Sequence, residues 1–143
     1  MITKKTGIKA AFLLTIFLSM GFNKPCFRQH QQTGELIAPP EADKIKNPLV
    51  GDKKSTDAGK ALYNIYCIAC HGEKGKGDGP ASLTIKTKPA DHTSPKIQKQ
   101  SDGAIYWKLT EGRSTLEMVS YKMVLSDNER WQLVNYIRTL SQK

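Results

Sequence analysis

The residues with the most evident chemistry are Cys67, Cys70 and His71, in the run Cys67-Ile68-Ala69-Cys70-His71. Two thiols about one helical turn apart can each add to one vinyl group of a porphyrin, and the imidazole that follows can reach its iron, which is the spacing of c-type haem attachment. A bare Cys-x-x-Cys also suits a redox dithiol or half of a zinc site. Zinc needs more Cys or His at ligand spacing, and Cys26, His30 and His92 are scattered. A thioredoxin-like dithiol should follow a strand, whereas the residues before Cys67 carry a helical pattern.

The elements that must position this run come next. Asp57 is a candidate cap for a helix through Ala58, Ala61, Leu62, Ile65 and Tyr66 towards Cys70, with Gly72 placed to stop it. Four glycines and a proline make Gly72 to Pro80 a loop. Its lysines invite a phosphate-cradle reading, but the Gly-Lys-Ser/Thr ending and a preceding strand are missing. Lys86 to Gln100, with Pro89 and Pro95, is an irregular and basic loop. Ser101 or Asp102 caps a helix over Ala104 to Thr110 that Gly112 ends. Arg113 to Val124 has no period and reads as a loop holding Met118 and Met123. Ser126 and Glu129 form a capping box for a last helix whose Trp131, Leu133, Val134, Tyr136, Ile137 and Leu140 make one apolar face.

A chain of 143 residues has room for one domain and extensions. Residues 1–21 read as a signal peptide or N-terminal anchor, since Lys4, Lys5 and Lys9 lead into the apolar run Ala10 to Met20. That run is short for a membrane span. Acylation of Cys26 is a weaker reading that would account for the third cysteine. Residues 22–56, rich in proline, are a tether or a wrapped extension, and 57–143 form the haem domain. The formal charge of +9 raises nucleic acid as a partner. No nucleic-acid motif supports it, and an acidic protein partner or an anionic membrane surface is the better reading.

Three main helices, long irregular loops and one haem attachment site resemble the class I, monohaem c-type cytochromes of bacteria, over roughly Asp57 to Leu140. The resemblance implies an all-α fold packed around one covalently bound haem. It implies that the first helix crosses the last at Gly59 and Tyr63, opposite Leu133 and Tyr136. It further implies that the carbonyl of Pro80, nine residues after His71, accepts the Nδ1 proton of His71 and leaves Nε2 for iron. The sixth ligand is expected at Met118 of Met118-Val119-Ser120-Tyr121, with valine where the family usually has proline and Leu125 seven residues on. Met123 is the competitor. His92 reads as a surface-loop residue, and Trp107 as core rather than as a haem carboxylate partner.

Iron held by His71 and Met118 would have both axial positions filled, leaving one-electron exchange as its chemistry. Trp107, Tyr63, Leu109 and Leu133 are expected to bury the porphyrin. The expected function is one-electron transfer, as an exported periplasmic carrier or as the haem subunit of a respiratory complex on the periplasmic face of a membrane, with redox partners that dock through acidic surfaces. An open sixth site, as in a haem enzyme or gas sensor, is the alternative.

Overall fold

The computed structural model describes residues 35–142. The proposed signal segment, residues 22–34 and Cys26 lie outside the described residues. Five α-helices follow in order: α1, Lys53–Tyr66; α2, Ile68–His71; α3, Pro95–Gln98; α4, Asp102–Glu111; and α5, Asp127–Thr139. Among the described residues there is no strand, only an isolated bridge between Arg113 and Met118. No helix among them is long and apolar enough to cross a membrane.

The crossing of α1 and α5 is the centre of the fold. Tyr63, Leu133, Val134 and Ile137 are almost fully buried there, and the Tyr63 and Tyr136 rings meet at 5.1 Å. Gly59 makes this approach possible, because a Cβ at that position would lie 1.9 Å from the backbone oxygen of Gln132. The glycine and aromatic expected at this crossing are therefore in place.

Helix α1 starts earlier than its apolar period suggests. Asp52, not Asp57, is the cap, with its carboxylate accepting from the amides of Lys54 at 2.9 Å and Ser55 at 3.3 Å. Asp57 instead sits on the exposed face, paired with Lys53 at 2.7 Å. The added turn matters to the core, since Ser55 is buried and its hydroxyl accepts from Asn135 at 3.2 Å.

The proline-rich stretch is described from Glu35 onward. Pro40–Lys44 form a 3₁₀ turn that buries Ala42, and Gly103 of α4 is bare where a Cβ would lie 2.0 Å from the Ala42 oxygen. Asn47 donates to Asp102 and to Asn135, both at 2.8 Å, and Asn135 donates to the Leu49 carbonyl at 2.6 Å. The Asn47 side chain and the Leu49 carbonyl thus tie this segment to α4 and α5.

Helix α4 is capped by Ser101, whose hydroxyl accepts from Ala104 at 3.0 Å. The capping box of α5 forms in both directions, with Glu129 N donating to Ser126 Oγ at 3.3 Å and Ser126 N donating to Glu129 Oε2 at 2.8 Å. These bonds to Ser126 favour the ionised carboxylate and hold Glu129 below the usual carboxylate range. The stabilisation is present above the ordinary glutamate pKa and is lost as pH falls through the lowered folded value. Ser126→Ala is expected to cost about 1 kcal/mol. In denaturant melts the difference between Ser126→Ala and the parent should shrink on acidification; a gap unchanged by pH would place the effect elsewhere.

Candidate functional site

Helix α1 runs into α2 through Cys67, whose backbone stays close to helical, so the two thiols and His71 emerge at the junction. Gly72 ends α2 at φ 79°. The three side chains line a cavity of about 600 Å³, together with Met118 and the apolar side chains of Ile85, Ile97, Ile105, Leu109, Tyr121 and Ile137. A volume of that order suits a large cofactor. Cys67 and Cys70 are free thiols, and among the described residues no cluster of three or more His, Cys, Asp or Glu could hold a metal.

The walls differ in part from expectation. Leu109 lines the cavity as foreseen, but Tyr63 and Leu133 lie behind it in the core. Trp107 is half-buried and belongs neither to the core cluster nor to the cavity wall. Tyr106, its neighbour, stacks on Trp131 at 4.0 Å and donates to Asp127 at 2.9 Å.

His71 Nδ1 lies 2.9 Å from the carbonyl oxygen of Ala90. A carbonyl only accepts, so Nδ1 carries the proton and Nε2 keeps its lone pair. Burial holds this imidazole below the ordinary histidine pKa, against the opposing pull of the Ala90 bond, so it is neutral and able to ligate. The expected partner, Pro80, does not fill this role. It is exposed and opens a separate 3₁₀ turn, Pro80–Leu83, while Gly79 before it is packed against the backbone of Ile68 and Ala69. Pro89 and Ala90 reach the ring because the chain passes close to Gly77, where a Cβ would lie 2.3 Å from the Pro89 oxygen.

His92 also departs from its expected place. It is 9% exposed rather than on the surface, and its ring stacks on that of His71 at 4.0 Å and 18°. Nothing in its spacing from the Cys-x-x-Cys-His run signals this, because the contact depends on how the loop closes.

Met118 is half-buried on the cavity wall, whereas Met123 is 93% exposed and lines no part of it. The loop holding Met118 is braced without the usual proline. Met118 and Arg113 exchange backbone bonds at 2.7 and 3.2 Å. Tyr121 N donates to the Leu109 carbonyl at 3.0 Å, and its hydroxyl donates to the Tyr66 carbonyl at 2.9 Å, next to Cys67. Gly112 permits the close return of the chain, since a Cβ there would meet Val119 and Ser120 backbone at 2.5 Å.

Burial, with a smaller contribution from Cys70, pushes the Cys67 thiol up to about 12. It therefore stays protonated at neutral pH, so before haem is attached it is a poor free nucleophile.

Two thiols without a disulfide, a neutral imidazole with a free Nε2 and a thioether on one apolar wall fit haem c as a bound group. The fold and this donor set fit an all-α protein with covalently bound haem c. The chain belongs to the cytochrome c family, whose model matches residues 56–141, more than half of the chain. No curated protein sequence matches it.

Among solved structures, a chain of the Kuenenia stuttgartiensis reducing HAO-like protein complex Kustc0457/Kustc0458 is 34% identical, with a TM-score of 0.60 over 65% of this chain. The match covers 46% of that longer chain. A c-type cytochrome named KustC0563 is 27% identical, with a TM-score of 0.49, covering 57% of this chain and 95% of its own. Cytochrome CL of Methylophaga aminisulfidivorans is 21% identical with a TM-score of 0.51, covering 71% of this chain and 68% of its own, a likeness of fold.

Proposed function

We propose that the protein is a one-electron carrier whose haem is linked through Cys67 and Cys70 and ligated by His71 Nε2 and Met118 sulfur. The observation that carries this reading is that all four side chains line one cavity while the Ala90 carbonyl holds the proton on His71 Nδ1. Haem c supplies a metal that passes between ferrous and ferric states. The chain's own part would be to hold the iron through His71 and Met118, which would leave no place on it for a substrate. A thioether ligand favours the reduced state relative to a second imidazole, and the apolar wall disfavours the extra ferric charge. Tyr121, tied to the Tyr66 carbonyl, keeps the methionine loop against the helix that carries Cys67.

The test is the visible spectrum and intact mass of protein matured in a cytochrome-producing host. A mass increase of one haem, a weak far-red band in the ferric form and no spectral change with carbon monoxide are expected. Ready carbon monoxide binding by the reduced protein would instead establish an open site, as in a sensor or enzyme, and a colourless product would remove haem altogether.

Partner choice follows from charge. Lys88, Lys96 and Lys108 line the cavity mouth, and Lys86 and Lys99 are exposed nearby in sequence. Glu35 and Glu117 are also there, but Glu35 is engaged by Lys96 at 2.7 Å and Glu117 by the amide of Lys86 at 2.7 Å. Lys86, Lys88 and Lys99, all exposed, suit an acidic redox partner. Raising salt from about 0.01 M to 0.15 M shortens the screening length from roughly 30 to 8 Å and should slow electron exchange with an acidic partner at least about tenfold. A rate indifferent to salt in stopped-flow mixing would reject steering.

The neighbour from Kuenenia stuttgartiensis is a chain of a larger complex and is about twice as long as the matched region. This supports service as a haem subunit of an oxidoreductase assembly as well as free carriage. With the basic, apolar start of the chain, the expected location is the periplasm or the periplasmic face of a membrane.

A further inference from the structure

The segment Pro89 to His92 meets His71 in two different ways. The Ala90 carbonyl binds Nδ1 at 2.9 Å, and two residues on the His92 ring lies flat against the His71 ring, 4.0 Å away and 18° from parallel. A single hydrogen bond at Nδ1 fixes which nitrogen faces the iron, but it leaves the ring free to turn about the line from its bonded partner through the ring. A flat neighbour at van der Waals distance removes that freedom.

His92 is itself held from several sides. Its amide donates to the Gly75 carbonyl at 2.7 Å, and its carbonyl accepts from Gln98 Nε2 at 2.6 Å. Its Nδ1 lies 3.4 Å from the Tyr63 hydroxyl, which donates to the Gly72 carbonyl at 3.2 Å. A phenol has one proton to give, so the His92 Nδ1 proton is donated to the Tyr63 oxygen. The chain of bonds from His92 through Tyr63 to Gly72 ties the second ring to α1 and to the end of α2. Gly75 packs against the same cluster, since a Cβ there would stand 2.7 Å from Leu140 Cδ1 and 3.2 Å from His92 Cβ. This also gives the glycine-rich loop a purpose beyond turning the chain.

We propose that His92 is a positioning residue that sets the plane of the His71 imidazole about its iron bond, the Ala90 carbonyl choosing the nitrogen and the His92 ring choosing the rotation. The proposal rests on the reading of His71 as an iron ligand. In ferric haem the plane of an axial imidazole orders the haem methyl resonances and the rhombic spread of the EPR signal, so both report the rotation directly.

The experiment uses the full-length holoprotein and the variants His92→Phe, His92→Leu and His92→Ala, compared by ferric proton NMR, EPR and reduction potential. His92→Phe keeps a flat buried ring and should keep the parent's order of methyl shifts. His92→Leu fills the space without a flat face, and should reorder those shifts and move the EPR g values, as should His92→Ala if it folds. Parent-like shifts in His92→Leu, or reordering in His92→Phe as large as in His92→Leu, would overturn the proposal. If the parent itself shows no imidazole-ligated haem, the assignment of His71 fails first, and the two failures are told apart by that spectrum.

Discussion

Met118→Ala is expected to turn a closed haem into an open one. The reduced variant should bind carbon monoxide, the ferric form should lose its weak far-red band, and the potential should fall by a tenth or more of the roughly 0.8 V that axial ligands span. The expectation follows from placement. Met118 is half-buried on the cavity wall that also carries Cys67, Cys70 and His71, and its backbone is paired with Arg113 on both sides. Removing the thioether leaves the backbone brace intact, so the loop should keep its course while the change appears at the metal. Met123→Ala is the control: its side chain is 93% exposed, and its spectrum should match the parent. The opposite outcome, with Met123→Ala opening the site and Met118→Ala silent, would transfer the ligand role.

Gly59→Ala is expected to be the most damaging single methyl in the described chain. The added carbon would stand 1.9 Å from the Gln132 oxygen and 3.1 Å from Tyr136 Cβ. The first of these is backbone and cannot rotate away. The helices must therefore separate, loosening Tyr63 and Leu133, both at 0% exposure. Overpacking of a tight core costs up to about 3 kcal/mol, and at roughly 4–8 °C per kcal/mol for a domain near this size the melting temperature of the holoprotein should drop by well over 10 °C. Gly51→Ala offers a comparison, because it meets nothing within 4 Å and carries only the strain of φ +78°. Its loss should be much smaller. Equal losses from the two would mean that the close approach of α1 to α5 is not what makes Gly59 necessary.

The haem-binding run and the presence of the three longer helices were legible from residue types and short spacings, and the family from its resemblance to them. Cys67, Cys70 and His71 lie within one turn of chain, Ser126 and Glu129 cap within another, and the apolar faces of α1 and α5 repeat at helical intervals. Such patterns encode neighbours a few residues apart, so local sterics and hydrogen bonding favour the same elements that the fold then packs. The crossing of the first and last helices at Gly59 was expected through the resemblance to class I c-type cytochromes, with Gly59 and Tyr63 four apart on one helical face in agreement with it.

Tertiary structure decided what depends on the path of the loops. The carbonyl that orients His71 comes from Ala90, nineteen residues on, and not from Pro80, because Gly77 lets the chain at Pro89 close in while Pro80 is turned outward on its own short helix. His92 moved from an assumed surface into the space beside the ligand for the same reason. The stretch before α1 gained a fixed course only from distant partners, such as Glu35 with Lys96 and Asn47 with Asn135. Loops lack a periodic pattern that would report such pairings, and their ends meet only after the helices have packed, so no short stretch of sequence carries that information by itself.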